Sequence, residues 1–128
     1  TEFARNNNIN YTQLDELLKE SDIVTLHLPL DNNTKGFFDR NLFLQMKDQA
    51  IFINTSRGKL VDEDGLYDVL SAGKIAHACL DVYKNEPYTG KLKELDNVTL
   101  TCHVGSYAKE ARIKMEEQAV ENLLKGLG

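Results

Sequence analysis

The sequence has no excess of positive charge: 15 Lys and Arg stand against 20 Asp and Glu, for a formal net charge of −5. An acidic chain without a basic stripe is a poor partner for nucleic acid or an anionic membrane surface. Long apolar runs are also missing. None approaches the roughly 20 residues needed to span a bilayer. The first residues, Thr1-Glu2-Phe3-Ala4-Arg5-Asn6-Asn7-Asn8, carry no apolar signal-peptide core. There are two cysteines, Cys79 and Cys102, far apart, in apolar contexts and outside any metal-ligand spacing. They read as reduced, small apolar residues of a cytoplasmic protein. No internal repeat or low-complexity stretch is present. What remains is 128 residues, 41% hydrophobic and 27% charged. That suits a single globular domain with its own core.

Apolar runs alternate with amphipathic stretches, the pattern of a parallel sheet covered by helices. Thr12-Gln13-Leu14-Asp15 resembles a capping box and predicts a short helix through Leu17, Leu18 and Lys19. Ile23 to Leu28 is a β-branched run stopped by Pro29. Asp39 is a cap for a helix carrying Leu42, Phe43 and Met46, and Ala50 to Asn54 is the next strand. Asp62 opens a helix bearing Leu66, Val69 and Leu70, with Gly73 as its left-handed stop. Lys74 to Asp81 and Asn97 to Cys102 read as the last two strands. Ser106 is placed to cap a final helix whose inner face is Ala111, Met115, Ala119 and Leu123. The order is β-α-β-α-β-loop-β-α. Strands that are apolar without alternation imply burial on both faces and right-handed crossovers. The expected class is α/β: part of a doubly wound, Rossmann-like parallel sheet with helices on both faces.

In such sheets ligands sit beyond the carboxyl ends of the strands. Those ends read His27-Leu28-Pro29-Leu30, then Asn54-Thr55-Ser56-Arg57-Gly58, then Asp81 through Glu86-Pro87, then His103-Val104-Gly105-Ser106. One rim thus collects an arginine, two carboxylates and a histidine. A guanidinium can hold a carboxylate with two parallel hydrogen bonds. A histidine can give or take the proton of a hydroxyl near neutral pH, and a neighbouring carboxylate fixes its tautomer. Singly, such residues are ordinarily solvated or turn residues. Their joint arrival at strand ends suits acid–base work on a carboxylate substrate.

Four blocks then resemble one family in order and spacing. They are Ser21 to Pro29, Ile53 to Asp62, Leu80 to Pro87 and His103 to Ser106. The chain is similar to the NAD-binding domain of the D-isomer-specific 2-hydroxyacid dehydrogenases over about Leu14 to Leu124. Gly105 to Arg112 looks most like the phosphoglycerate dehydrogenase branch. The resemblance implies an oxidoreductase that transfers a hydride between NAD or NADP and a 2-hydroxy acid/2-keto acid pair. Candidate substrates are 3-phosphoglycerate, hydroxypyruvate and glyoxylate. It implies that Arg57 binds the substrate carboxylate, that His103 is the general acid/base and that Glu86 pairs with it. It implies that Asp81 contacts the nicotinamide side of the cofactor. His27, Pro29, Thr34, Thr55, Ser56, Gly105 and Ser106 match positions lining that cofactor. Members are generally dimers. A corepressor that uses NAD to regulate assembly belongs to the same fold family, a second reading that retention of Arg57, Glu86 and His103 disfavours.

Two departures matter. The family usually has proline before the catalytic histidine, where this chain has Cys102; that places a thiol beside the site, or a buried sulfur. No Gly-x-Gly-x-x-Gly follows any strand. The resemblance implies that this loop and its strand lie upstream of Thr1 and that the substrate domain is absent. Residues 1–128 are then part of a cofactor domain, expected to bind NAD weakly or not at all when alone and to turn nothing over. The strand Ile23–Leu28 is expected at an exposed edge.

Overall fold

The structure is a computed structural model, described here over residues 2–127. Two helices, α1 (Glu2–Asn6) and α2 (Leu14–Glu20), precede β1 (Ile23–Leu26). Then follow α3 (Arg40–Gln45), β2 (Ile51–Asn54), a 3₁₀ turn at Gly58–Leu60 and α4 (Glu63–Ser71). The chain continues through β3 (His77–Leu80), a 3₁₀ turn at Lys91–Glu94, β4 (Val98–Leu100) and α5 (Lys109–Leu127). The strands pair in parallel in chain order, β1-β2-β3-β4. The register sets Leu26 beside Asn54, Asn54 beside Leu80 and Leu80 beside Leu100. All four carboxyl ends therefore finish level, and their loops emerge together.

The predicted strands are each shortened, β2 by one residue and the others by two to four. The ladder bonds nevertheless run one step past them, from the Asp81 N–H to the Asn54 carbonyl and from the Thr101 N–H to the Leu80 carbonyl. Asp39 caps α3 as its sequence position implies, its carboxylate accepting from the Leu42 N–H at 3.0 Å. Gly73 has φ +67°. The Lys74 and Gly73 N–H groups bond the Val69 and Leu70 carbonyls, which is a Schellman stop. Two caps differ from expectation. Gln13, not Thr12, is the N-cap of α2, and the Thr12 hydroxyl meets the Glu16 side chain instead of backbone. Asp62 occupies the N-cap of α4 without a side-chain cap bond.

Burial alternates along the strands. Val24, Phe52 and Ala78 share the buried face, and Ile51, Ile53 and Cys79 opposite them are only half-buried. The burial expected on both faces is thus found on one, because α2, α3 and α4 all contribute to a single core. At its centre Phe38, Phe43 and Phe52 lie with ring centroids 4.7 to 4.9 Å apart, a spacing favourable for aromatic contacts. Ile23 on β1 is 56% exposed, and β1 is one edge of the sheet, as expected.

The final helix is the main correction. It begins at Lys109, not just after Ser106, and none of its residues is buried. Ala111, Met115, Ala119 and Leu123 keep their spacing of four but are all exposed. Their stripe is apolar without being an inner face in this chain.

Phe52 is fully buried between two other rings. Phe52→Ala is expected to lower unfolding free energy by about 3–5 kcal/mol, read as a fall in the denaturant midpoint.

Candidate active site

The loop after β2 is shaped by its own first residue. Asn54 is 1% exposed, and a buried amide must find partners. Its Nδ2 donates to the Arg57 carbonyl at 3.1 Å and its Oδ1 accepts from the Ser56 N–H at 3.0 Å. The Ser56 hydroxyl donates to the Leu26 carbonyl at 2.6 Å, lacing the ends of β1 and β2 together. Arg57 leaves this turn exposed, its Nη1 donating to the Ser56 carbonyl. Gly58 follows because nothing larger fits: a Cβ there would sit 1.9 Å from the Tyr83 carbonyl carbon. The β2 and β3 loops therefore touch backbone to backbone.

The β4 loop is held by a carboxylate. Asp81, 6% exposed, accepts from the Thr101 hydroxyl at 2.5 Å and the Val104 N–H at 2.9 Å through Oδ1. Its Oδ2 accepts from the Gly105 N–H at 2.8 Å. Burial pushes the Asp81 carboxyl up, but these hydrogen bonds and nearby His103 outweigh it and hold the group below its ordinary value.

His103 lies between those anchors with φ +55°, a region that residues other than glycine enter only when their surroundings hold them. Its Nδ1 is 2.9 Å from Glu86 Oε2, with both side chains part-exposed. Glu86 Oε1 accepts from the Tyr83 N–H at 3.1 Å. The hydrogen bond with His103, then that from Tyr83, keeps the Glu86 carboxyl below its usual range.

Arg57, Glu86 and His103, from three different strand ends, line one hollow of about 300 Å³ with Leu30, Lys59 and Lys84. A second hollow adjoins it, sharing Leu30 and Arg57 and lined also by His27, Leu28, Pro29 and Ser56. The proposed cofactor positions thus divide. His27, Pro29 and Ser56 open onto the hollow beside Arg57, and the His27 ring lies 3.1 Å from the Thr25 hydroxyl. Thr34 lines neither hollow: its hydroxyl donates to the Pro29 carbonyl at 2.7 Å and so shapes the turn. Asp31 completes that turn by accepting from the Asn33 and Thr34 N–H groups, which lowers its carboxyl from the ordinary value. Thr55, Asp81, Gly105 and Ser106 also lie outside both hollows. Asp81 instead turns both oxygens into the chain, and Gly105 gives it an N–H.

The adjoining hollows set apolar Leu28, Pro29 and Leu30 beside the Arg57 cation, a lining with places for an apolar ring and for an anion. A third concavity, about 600 Å³, shares Tyr83, Glu86 and His103 with the first hollow and is lined also by Tyr88, Lys93, Leu100 and Cys102. Cys102 is exposed there, so the alternative of a buried sulfur does not hold. Three residues outside the sequence-based site set organise it: Asn54, Tyr83 and Thr101. Asn54 and Thr101 carried a weak signal, polar groups ending apolar strands. Tyr83 carried only its place in the Leu80 to Pro87 block.

Because the Asp81 carboxyl is depressed, its contribution to stability is present above its unfolded value near 3.8 and is lost as pH falls through the folded value. Denaturant midpoints measured from pH 6 to pH 2 are expected to fall less steeply in Asp81→Asn than in the parent. Parallel slopes would contradict the assignment.

Comparison with known proteins bears on the same residues. Residues 1–105 match the family model described as D-isomer specific 2-hydroxyacid dehydrogenase, NAD binding domain. The chain is 41% identical to a hydroxypyruvate reductase of Thermotoga maritima over 124 residues, covering 94% of this chain and 40% of that protein. It is 38% identical to a D-3-phosphoglycerate dehydrogenase of Archaeoglobus fulgidus, covering 93% of this chain and 24% of that protein. Among solved structures it is similar to an acyclic imino acid reductase in complex with NADPH and D-Arg. That match has TM-score 0.85 and 37% identity, covering 93% of this chain and 38% of the other. The apo D-mandelate dehydrogenase of Rhodotorula graminis superposes with TM-score 0.83 at 34% identity, over 91% and 34% of the two chains. The chain spans about two fifths or less of the length of these relatives. Sheet and family model agree: the chain belongs to the D-isomer specific 2-hydroxyacid dehydrogenase family, matching its NAD-binding domain.

Proposed function

We propose that this chain is the cofactor-binding portion of an oxidoreductase that moves a hydride between NAD(H) and a 2-hydroxy acid/2-keto acid pair. The carrying observation is that Arg57, Glu86 and His103 share one hollow. Short keto acids such as glyoxylate and hydroxypyruvate are the favoured substrates. Relatives named glyoxylate reductase and hydroxypyruvate reductase share 41–42% of aligned residues. The phosphoglycerate dehydrogenase relative supports a phosphorylated substrate less, at 38%. Both cysteines are free, which suits a reducing, cytoplasmic compartment.

A bound nicotinamide supplies or accepts the hydride at the substrate's C2. Arg57 holds the keto acid's carboxylate by paired N–H donors, which presents one face of the carbonyl. The Nδ1 of His103 faces Glu86, so Nε2 is the nitrogen that meets the substrate. During reduction the carbonyl π bond opens as C2 gains the hydride, and its oxygen takes the proton from Nε2. Oxidation returns that proton to the ring. Glu86 fixes the ring plane and compensates the imidazolium charge. Its carboxyl is depressed, so the compensating charge persists below the ordinary carboxylate range and is lost only in stronger acid.

In the full-length protein, His103→Asn is expected to lower kcat for keto-acid reduction about 10²–10⁴-fold with NADH affinity largely kept. Steady-state kinetics and cofactor titration measure both, and undiminished turnover would remove the acid–base assignment. Arg57→Lys retains charge but loses the fork geometry. It is expected to raise KM for the keto acid by roughly tenfold or more; an unaltered KM would place the carboxylate elsewhere.

A further inference from the structure

The Glu86–His103 pair is carried by two loops, and Tyr83 touches both. Its backbone N–H donates to Glu86 Oε1 at 3.1 Å. Its hydroxyl lies 2.7 Å from the Thr101 carbonyl oxygen and 3.0 Å from that of Leu80. A phenol has one proton to give. The Leu80 carbonyl already receives the Thr101 N–H at 3.0 Å. Among the described residues the Thr101 carbonyl has the Tyr83 hydroxyl as its partner. Tyr83 is 7% exposed and stacks on Tyr88, ring centroids 4.6 Å apart at 23°. Burial, with the charges of Cys102 and Asp81 adding to it, pushes the phenol up to about 12, so it stays a donor at working pH.

Between Thr101 and His103 stands Cys102, whose φ is intrinsically free. A proline there would fix φ and hold the preceding residue extended. Cysteine does neither, yet the next residue must be kept at φ +55°. Thr101 is the residue through which that restraint can enter from the N-terminal side. It is gripped at three points: N–H on Leu80, hydroxyl on Asp81 and carbonyl on Tyr83.

We propose that the Tyr83 hydroxyl is a positioning group for His103. By holding the Thr101 carbonyl it supplies, across the loops, the stiffness that a proline at position 102 would supply within the chain. The backbone N–H of the same residue aligns Glu86, so one residue sets both halves of the pair against each other. The proposal rests on His103 being the acid–base group.

Tyr83→Phe keeps the ring, the stack on Tyr88 and the backbone N–H, removing the hydroxyl alone. In the full-length protein reducing glyoxylate or hydroxypyruvate with NADH, kcat is expected to fall roughly tenfold. KM should stay within about twofold, because Arg57 is on another loop. In a C102P background the same substitution is expected to cost no more than about twofold in kcat. Unchanged kcat, a loss carried mainly by KM, or equal kcat losses in both backgrounds overturns the proposal. Should the C102P protein not fold, amide hydrogen exchange in Tyr83→Phe decides: faster exchange at Val104 and Gly105 supports the role, and unaltered exchange overturns it. His103→Asn assayed alongside separates the two levels. Its retained turnover overturns the acid–base reading and this proposal with it, whereas its inactivity beside an unaffected Tyr83→Phe overturns the positioning role alone.

Discussion

The site depends on one buried carboxylate. Asp81 ends β3 and captures the segment after β4 at three points, taking a hydroxyl from Thr101 and N–H groups from Val104 and Gly105. Those donors bracket His103. A left-handed backbone at a non-glycine residue is unfavourable by itself, and the bracket is what keeps His103 there. The ring is thereby aimed at Glu86. A neutral amide at position 81 could accept through only one atom, so the three-way capture is specific to a carboxylate.

Much of this was legible in the sequence, for identifiable reasons. Each strand reads as an apolar run ended by a polar residue, and each polar residue starts a loop on the same rim. Parallel pairing in register then brings Arg57, Glu86 and His103 together without further information. Asp39 and Gly73 were legible because capping and left-handed stops are local chemistry. Asp81 was legible as a carboxylate on the rim, but its grip on Thr101, Val104 and Gly105 was not. That grip depends on how the loop after β4 folds back, which a strand-end carboxylate does not specify by itself. Thr34 is similar: its hydroxyl serves the Pro29 turn. Tyr83 was legible only as a member of the Leu80 to Pro87 block; its role was not, since its phenol bonds a carbonyl 18 residues away.

The errors cluster where burial was inferred from pattern alone. A stripe at spacing four in α5 predicts a covered face, but periodicity states only that a helix is amphipathic and names no partner. The same holds for the sheet. Its strands are apolar on both sides, yet the three core helices all serve the Phe52 side, leaving Ile51, Ile53 and Cys79 half-buried.

The contact between Gly58 and Tyr83 has a consequence for how the site is built. Main chain rests on main chain there, with no room for a single added carbon. The spacing between the loop bearing Arg57 and the loop bearing Glu86 is therefore fixed by atoms every residue shares. Side chains such as Leu30, Lys59 and Lys84, which line the same hollow, take no part in that backbone contact. The spacing of the two loops and the character of the hollow's lining are thus set by different atoms.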